Sequence, residues 1–257
     1  MKASIKQGVL FRDLGQIEYR DAWDLQEKLL QENVQVKSEL RNRLTALETQ
    51  VAGQLVESQE PAMADWPSTN HYLLFVEHPP VYTLGKSGAI ENVLISEEER
   101  TAKGISFYNT NRGGDITFHG KEQLVGYPIL DLEKFYTDIG KYLRNLEEVI
   151  MATMADYGLK GERSPGETGV WLDAAIAGKE RKICAMGIRC SRWITMHGFA
   201  FNVNTDLAYF DYIIPCGIQN KQVTSLQKEL GRSLNMNEVK EKVKHHFERV
   251  FDVELIS

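Results

Sequence analysis

Apolar residues recur every three or four positions in three stretches of the chain, a spacing that predicts helices with one buried face. The first helix is expected from about residue 15 to 57, and the second from Asp138 to Tyr157, with Gly158 as its stop signal. A third is expected after Asn235, whose side chain can cap it. The stripes of the second and third helices consist of Ile139, Leu143, Leu146, Ile150 and Met154, and of Val239, Val243, Phe247 and Val250.

Shorter apolar runs bounded by glycine and proline predict the strands. A glycine turn at residues 111–114 is expected to join two of them, and a second hairpin is expected to turn at residues 178–180. A capping box at Ser96 predicts a short helix that stops at Gly104. Because helices and hairpins alternate irregularly, we predict a single mixed-sheet α/β domain over residues 1–257. The predicted strands cover residues 72–76, 81–84, 105–108, 116–118, 124–130, 169–177, 182–189 and 193–203.

Composition narrows the class of protein. At 257 residues and 42% hydrophobic content the chain can bury a large core, and its 7 prolines and 20 glycines mark no linker between domains. The polar stretch at about 34–65 is expected to be an exposed helix that runs into a loop. A net charge of −6 disfavours nucleic-acid binding. Since the sequence has no 18-residue apolar run and no signal-peptide core, we expect a cytoplasmic protein that does not use a membrane.

The three cysteines give the first candidate for chemistry. An odd number in a chain this long predicts free thiols. The sequence contains no Cys-x2-Cys or His-x3-His pair, so we expect no metal or other cofactor. Cys184 and Cys190 are expected to be structural. Cys216 lies between a proline and a glycine, which can hold a nucleophile on a stiff turn. The ammonium of Lys182 could favour its thiolate form, provided that the fold brings the two residues together.

Two further segments combine glycine with polar side chains. In the segment from Arg112 to His119, paired glycines let a backbone pass close to a ligand, and Thr117 and His119 fall on one face of a strand. A hairpin turn with a structural histidine explains the same residues. The pair His197-Gly198, followed by Phe199, suits either a shared apolar pocket or an ordinary core strand.

Basic residues concentrate in one short region of the chain. They indicate either a solvated hairpin edge or a docking patch for an acidic partner. The residues are Lys179, Arg181, Lys182, Arg189 and Arg192.

Five ordered blocks of the sequence resemble the lipoyl(octanoyl) transferase family. The resemblance covers roughly residues 70 to 230, with Tyr19, Trp23 and Gln26 as weaker matches, and five blocks in order are more specific than any one of them. The blocks are Glu77 to Gly85, Arg112 to His119, Lys182 to Arg189, His197 to Val203 and Ile214 to Gly217.

This resemblance implies a catalytic fold related to the biotin and lipoate protein ligases. It further implies transfer of an octanoyl group from acyl carrier protein to a lysine of a lipoyl domain, in 2-oxoacid dehydrogenase complexes or in the glycine cleavage H protein. By the same resemblance, Cys216 corresponds to the acyl-thioester nucleophile and Lys182 to the lysine paired with it. The implied acyl pocket is lined by Arg112, Gly113, Gly114, Asp115, Ile116, Thr117, Phe118, His119, Ala185, Met186, Gly187, His197, Gly198 and Phe199.

The chain departs from the family in two places. The helical stretch at about 34–65 is expected to be an insertion, and the second departure follows His119. Lys121 and Glu122 stand where the family usually has proline and glycine, so we expect a loop of different shape.

Three other functions fit parts of the pattern. An ATP-dependent lipoate or biotin ligase would share the fold and need Lys182 but not Cys216. A cysteine hydrolase would pair Cys216 with His119 or His197. A module that binds acyl groups without chemistry would need neither Lys182 nor Cys216. Since a thioester donor is already activated, transfer needs no ATP, and the sequence has no complete Gly-x4-Gly-Lys-Ser/Thr phosphate loop, because Pro80 stands five residues before Gly85-Lys86-Ser87.

Overall fold

A mixed sheet of eight strands lies at the centre of the part of the chain that the structure describes. The structure is a computed structural model and describes residues 6–53, 66–215 and 222–256, with the side chains of residues 50–53 left aside. Seven strands run in the order β10-β8-β9-β6-β2-β1-β11, and β7 pairs with β8. The strands are β1 (Gln7–Gln16), β2 (Tyr72–Glu77), β6 (Gln123–Ile129), β7 (Val170–Leu172), β8 (Arg181–Ser191), β9 (Ile194–Asn202), β10 (Gln222–Val223) and β11 (Val253–Ile256).

A second, three-stranded sheet lies beside the first. Its order is β4-β3-β5, formed by β3 (Val81–Leu84), β4 (Ser106–Asn109) and β5 (Ile116–His119). The hairpin predicted at residues 111–114 is therefore wrong. Strand β3 lies between β4 and β5, parallel to the first and antiparallel to the second, so the two glycines belong to a crossing loop.

The helices cover both faces of the large sheet. On one face, α3 and α5 pack against Phe75, Phe199 and Phe201, and on the other α1 packs against Leu74 and Val125. Burial on both sides explains why β2 is apolar at almost every position instead of alternating. The helices are α1 (Tyr19–Gly53), α2 (Glu97–Ala102), α3 (Ile139–Ala155), α4 (Leu226–Leu230) and α5 (Met236–Phe251).

The predicted helix ends agree with the structure where a cap is present. Ser96 and Glu99 form the expected capping box at α2, and Asn235 caps α5 by accepting from the amides of Asn237 and Glu238. None of the helices within the described ranges has the length and apolar character needed to cross a bilayer.

Strand β1 was not predicted, and the first helix begins later than expected. Residues 15 and 16 still belong to β1, which carries a bulge where Gly15 has φ +62°. The second predicted hairpin is correct, but β7 ends at Leu172 because Asp173 turns the backbone to φ +51°.

The first part of the expected insertion at 34–65 continues helix α1. Its Lys37 reaches the main body of the protein, with Nζ at 2.9 Å from Asp131 Oδ1, 2.8 Å from Glu133 Oε2 and 2.8 Å from the carbonyl oxygen of Arg192. Residues 54–65 lie outside the described residues, and an insertion relative to the family stays a prediction.

Substitution of Lys37 by Met should destabilise the fold, because it leaves the buried carboxylate of Asp131 without its cation. We expect the free energy of unfolding to fall by about 3 kcal/mol in urea titrations. The matched control is Lys28→Met on the same helix, where an exposed lysine lies 4.0 Å from Glu32 and should contribute less than about 0.5 kcal/mol. Equal losses in both variants would contradict the anchoring role of Lys37.

Candidate active site

A cavity of about 430 Å³ lies where the two sheets meet, and nearly all the predicted pocket residues line it. Its walls come from the loop before β5, from β5 itself and from β6, β8 and β9, with Tyr19 of α1 and Pro215 completing them. Cys216 lies outside the described residues. The predicted residues in the lining are Arg112, Gly113, Gly114, Asp115, Ile116, Thr117, His119, Lys182, Ala185, Met186, Gly187, His197, Gly198 and Phe199.

Phe118 is the predicted pocket residue that does not line the cavity. Strand alternation directs Thr117 and His119 toward the cavity, as expected, and turns Phe118 to the other side. There its ring stacks on Tyr209, with 4.6 Å between ring centroids, and contacts Phe210 at right angles. Phe118 therefore belongs to the core of the small sheet.

Glycines let the backbone segments around the cavity touch. A Cβ atom on Gly187 would lie 2.7 Å from the carbonyl oxygen of Gly113, and one on Gly85 would lie 2.2 Å from that of Gly114. The amide of Gly113 donates to the carbonyl of Ile188 at 2.8 Å. The glycine-rich loop is thus bonded directly to strand β8, which no larger residue at position 187 would allow.

Lys182 extends into this cavity from β8. Its Nζ lies over the ring of Trp171, 4.5 Å from the ring centroid. Gly169, with φ +120°, places the loop before β7 against the Lys182 side chain. A Cβ atom added to Gly169 would lie 3.6 Å from Lys182 Cε. That turn is held by the buried carboxylate of Glu147, which accepts from the amide of Gly169 at 3.0 Å.

A chain of hydrogen bonds links Arg112 to strands β6 and β9 of the large sheet. Arg112 Nη2 donates to Thr83 Oγ1 at 2.9 Å, and that hydroxyl lies 3.4 Å from His119 Nε2. Gln123 uses its amide nitrogen to donate to Asn202 and to a carbonyl, so its oxygen accepts from His119 Nδ1 at 2.9 Å. The network fixes His119 with its proton on Nδ1.

A second pair of polar rings, His78 and Tyr127, is buried at the cavity wall, where Tyr127 lines the cavity. His78 Nδ1 donates to the carbonyl of Ile17 at 2.9 Å, so Nε2 accepts from the hydroxyl of Tyr127 at 2.8 Å. Tyr19 stacks on His119, with ring centroids 6.0 Å apart. Burial raises the pKa of Tyr19 to about 12.

The histidines at the cavity are held in the neutral form. Burial lowers the pKa of His78 to about 4, and burial together with the charges of Arg112 and Arg189 lowers that of His197 to about 3. Burial also holds the pKa of His119 well below its usual range. These side chains therefore act as hydrogen-bonding groups and not as cations near neutral pH.

The turn after His119 has a backbone conformation that favours glycine. Glu122 has φ +56°, and its amide donates to Glu77 Oε2 at 2.9 Å. Its carbonyl accepts from the amide of Asn204 at 3.0 Å. These two bonds hold the left-handed turn at a residue that is not glycine.

The basic residues at 179–192 do not form one patch. Arg181 pairs with Glu229, Arg189 pairs with Glu27, and Lys182 is buried in the cavity wall. Cys184 and Cys190 are free thiols, and burial raises the pKa of both. Within residues 6–53, 66–215 and 222–256, no group of three or more His, Cys, Asp and Glu side chains could hold a metal ion.

Several lining residues were missed from the sequence, although Gln123 and Asn202 lie close in the chain to predicted ones. Because their strands are buried on both faces, apolar spacing did not separate cavity positions from core positions. On β6 and β9 the missed residues are Gln123, Val125, Tyr127, Ala200 and Asn202.

The chain matches proteins of known class over nearly its whole length. The family model of the lipoyl protein ligase A/B catalytic domain matches residues 18–248. An octanoyltransferase of Christiangramia forsetii is 56% identical over 245 residues, which are 95% of this chain and 96% of that protein. An octanoyltransferase of Flavobacterium johnsoniae is 53% identical over 249 residues, 96% of this chain and 98% of that one.

Solved structures show the same fold at low sequence identity. A bi-partite lipoate protein ligase from Thermoplasma acidophilum superposes with a TM-score of 0.63 at 14% identity, covering 99% of this chain and 87% of that chain. A lipoate-protein ligase A bound with ATP gives a TM-score of 0.62 at 13% identity, covering 99% and 88%. The predicted fold class is confirmed.

The chain belongs to the lipoyl protein ligase A/B catalytic domain family. Within that family it falls among the octanoyltransferases, acyltransferases of protein lipoylation, as the ordered sequence blocks predicted.

The neutral histidines predict a loss of stability in acid. A folded-state pKa of His78 near 4, below its ordinary value of 6.5, means that the unfolded chain binds the proton first. Stability is then complete above pH 6.5 and falls between pH 6.5 and 4, by about 3 kcal/mol for this residue. In urea titrations across that range, His78→Gln should show a shallower loss than wild type. His245→Gln, at an exposed position, should retain the wild-type slope, and a wild-type slope in His78→Gln would refute this origin.

Proposed function

We propose that this enzyme transfers an octanoyl group from acyl carrier protein to a lysine of a lipoyl domain through a thioester on Cys216. One observation carries the proposal: Lys182 and Pro215, distant in sequence, line the same cavity, and Pro215 immediately precedes Cys216. The identity of the relatives as octanoyltransferases supports the acyl group.

The cavity has walls suited to an eight-carbon chain. Apolar side chains from four strands face it beside the polar groups, and its volume lies within the usual range of ligand pockets. Burial of the octanoyl methylenes at about 0.8 kcal/mol each contributes about 5 kcal/mol to binding. The apolar wall residues are Ile116, Val125, Met186, Ile188, Phe199 and Ala200.

The reaction needs two exchanges at one carbonyl carbon. In the first, the thiolate of Cys216 forms a bond to the octanoyl carbon, the bond to the carrier sulfur breaks, and the carrier thiolate takes a proton from the Lys182 ammonium. In the second, the acceptor lysine amine attacks the same carbon and the Cys216 sulfur leaves. Lys182, neutral after the first exchange, accepts the proton from the attacking amine.

The acceptor is proposed to be the lipoyl domain of a 2-oxoacid dehydrogenase complex or the glycine cleavage H protein. The Thermoplasma lipoate protein ligase with the same fold was described together with its E2 lipoyl domain, which supports this class of partner. The thioester donor requires no cofactor.

Replacement of Cys216 by Ser should abolish the covalent intermediate. After incubation with octanoyl carrier protein and no acceptor, mass spectrometry should show one octanoyl group on wild type and none stable to denaturation on Cys216→Ser, because the nucleophilic thiolate is missing. Cys190→Ser is the matched control and should retain the adduct, since Cys190 is outside the cavity lining. A thioester adduct that persists on another residue of Cys216→Ser would remove Cys216 from the mechanism.

The same reaction separates the alternatives. Octanoylation of a lipoyl domain from free octanoate and ATP would identify a ligase. Release of octanoate from the carrier thioester without an amine acceptor would identify a hydrolase.

Replacement of Lys182 by Ala should lower the fraction of Cys216 that is thiolate at a given pH. In the Cys190→Ser background we expect the midpoint of iodoacetamide alkylation to move to higher pH, because a cation that favours the thiolate is lost. Lys182→Arg should retain more of the wild-type profile. Lys179→Ala, at an exposed position three residues away, serves as the control. An unchanged profile in Lys182→Ala would count against the pairing.

A further inference from the structure

His197 occupies a left-handed backbone conformation inside a strand. Its φ is +58° within β9, and the residue is almost fully buried. Such a conformation is uncommon for residues other than glycine and is maintained only when surrounding contacts fix it.

Strand β6, on one side of β9, does not supply those contacts, whereas β8 on the other side pairs Ile188 with His197. Pairing of β9 with β6 stops at Gly126 and Phe199, and Pro128 of β6 has no amide hydrogen to donate. Thr195 fills part of the gap, since its hydroxyl donates to the carbonyl of Pro128 and accepts from the amide of Leu130. The amide of His197 is turned out of this ladder toward helix α1.

The side chain of Gln26 in α1 accepts a hydrogen bond from that amide. Its Oε1 accepts from the backbone nitrogen of His197 at 2.8 Å, while its Nε2 donates to the carbonyl of Ala22 at 3.2 Å. The second bond fixes which end of the amide faces His197. Gln26 is fully buried, so water cannot replace it as the acceptor.

The imidazole of His197 connects strand β9 to the loop before β5. It lines the cavity, and its Nε2 lies 2.9 Å from Oδ1 of Asn111, the residue before Arg112. A shift of His197 would therefore move both the imidazole and the start of the glycine-rich loop.

We propose that Gln26 is a positioning residue for octanoyl transfer, which holds the His197 backbone in its left-handed conformation and thereby sets the imidazole against Asn111. Gln26 itself does not line the cavity. The proposal rests on octanoyl transfer as the reaction and is independent of the Cys216 intermediate.

The same helix offers a matched control. Asn33, seven residues along α1, is also buried and accepts a backbone amide, that of Asn70, at 2.8 Å, but it touches no cavity residue through this bond. Gln26→Met and Asn33→Leu each remove a buried acceptor, so both should lose stability. Only the first should alter catalysis.

The experiment measures kcat/KM for octanoylation of a lipoyl domain at a temperature where all variants are folded. We expect a loss of about tenfold or more for Gln26→Met, less than about twofold for Asn33→Leu, and substantial recovery in Gln26→Glu, whose buried carboxyl reproduces both bonds when protonated. If Gln26→Met does not fold, Gln26→Asn, too short to reach the same acceptor position, takes its place.

An NMR measurement gives a readout that does not depend on the reaction. The ring resonances of His197 in the ligand-free protein should shift in Gln26→Met and stay in place in Asn33→Leu. Equal kcat/KM values for the two variants, or unchanged His197 resonances in Gln26→Met, would overturn the proposal. If wild type transferred no octanoyl group, the proposed function would fail, while the ring resonances would still test the Gln26 contact.

Discussion

Direct contact between backbone segments determines the shape of the site. The loop carrying Arg112 lies on strand β8 because Gly187 has no side chain, and strand β9 approaches β6 because Gly198 has none: a Cβ there would lie 2.2 Å from the carbonyl oxygen of Gly126. The first contact joins the loop before β5 to the large sheet, and the second lies within the large sheet. The cavity lies beside these close backbone contacts, where side chains such as Met186 and Phe199 line it.

The polar residues of the site are held by one another. Arg112, Thr83, His119 and Gln123 form one continuous hydrogen-bonded chain, and each member fixes the orientation of the next. Neutral histidines fit this arrangement because a buried imidazolium would need a counter-charge that these neighbours do not supply. The cations of the lining, Arg112 and Lys182, thus lie among groups that do not change charge near neutral pH.

Much of the fold followed from local physical signals, and the failures have identifiable causes. Caps at Ser96 and Asn235 and the apolar run in β2 were sufficient for their elements. Strand β1 was missed because glycines and adjacent polar residues interrupt its alternation. The loop at 111–114 was taken for a hairpin, since no local signal shows that β3 lies between β4 and β5. For the site, paired glycines predicted the cavity wall, whereas the Gln26 contact joins residues far apart in sequence and depends on tertiary packing.

The order of strands in the large sheet also has a consequence for biosynthesis. Strand β1 pairs on one side with β2 and on the other with β11, in parallel register, with Gln7 opposite Val253. During translation, β1 is made before the other described strands, whereas β11 is made only after helix α5. One edge of β1 therefore stays open until β11 has been made, and such edges can pair with other chains. Completion of the sheet must wait until α5 and β11 have both left the ribosome.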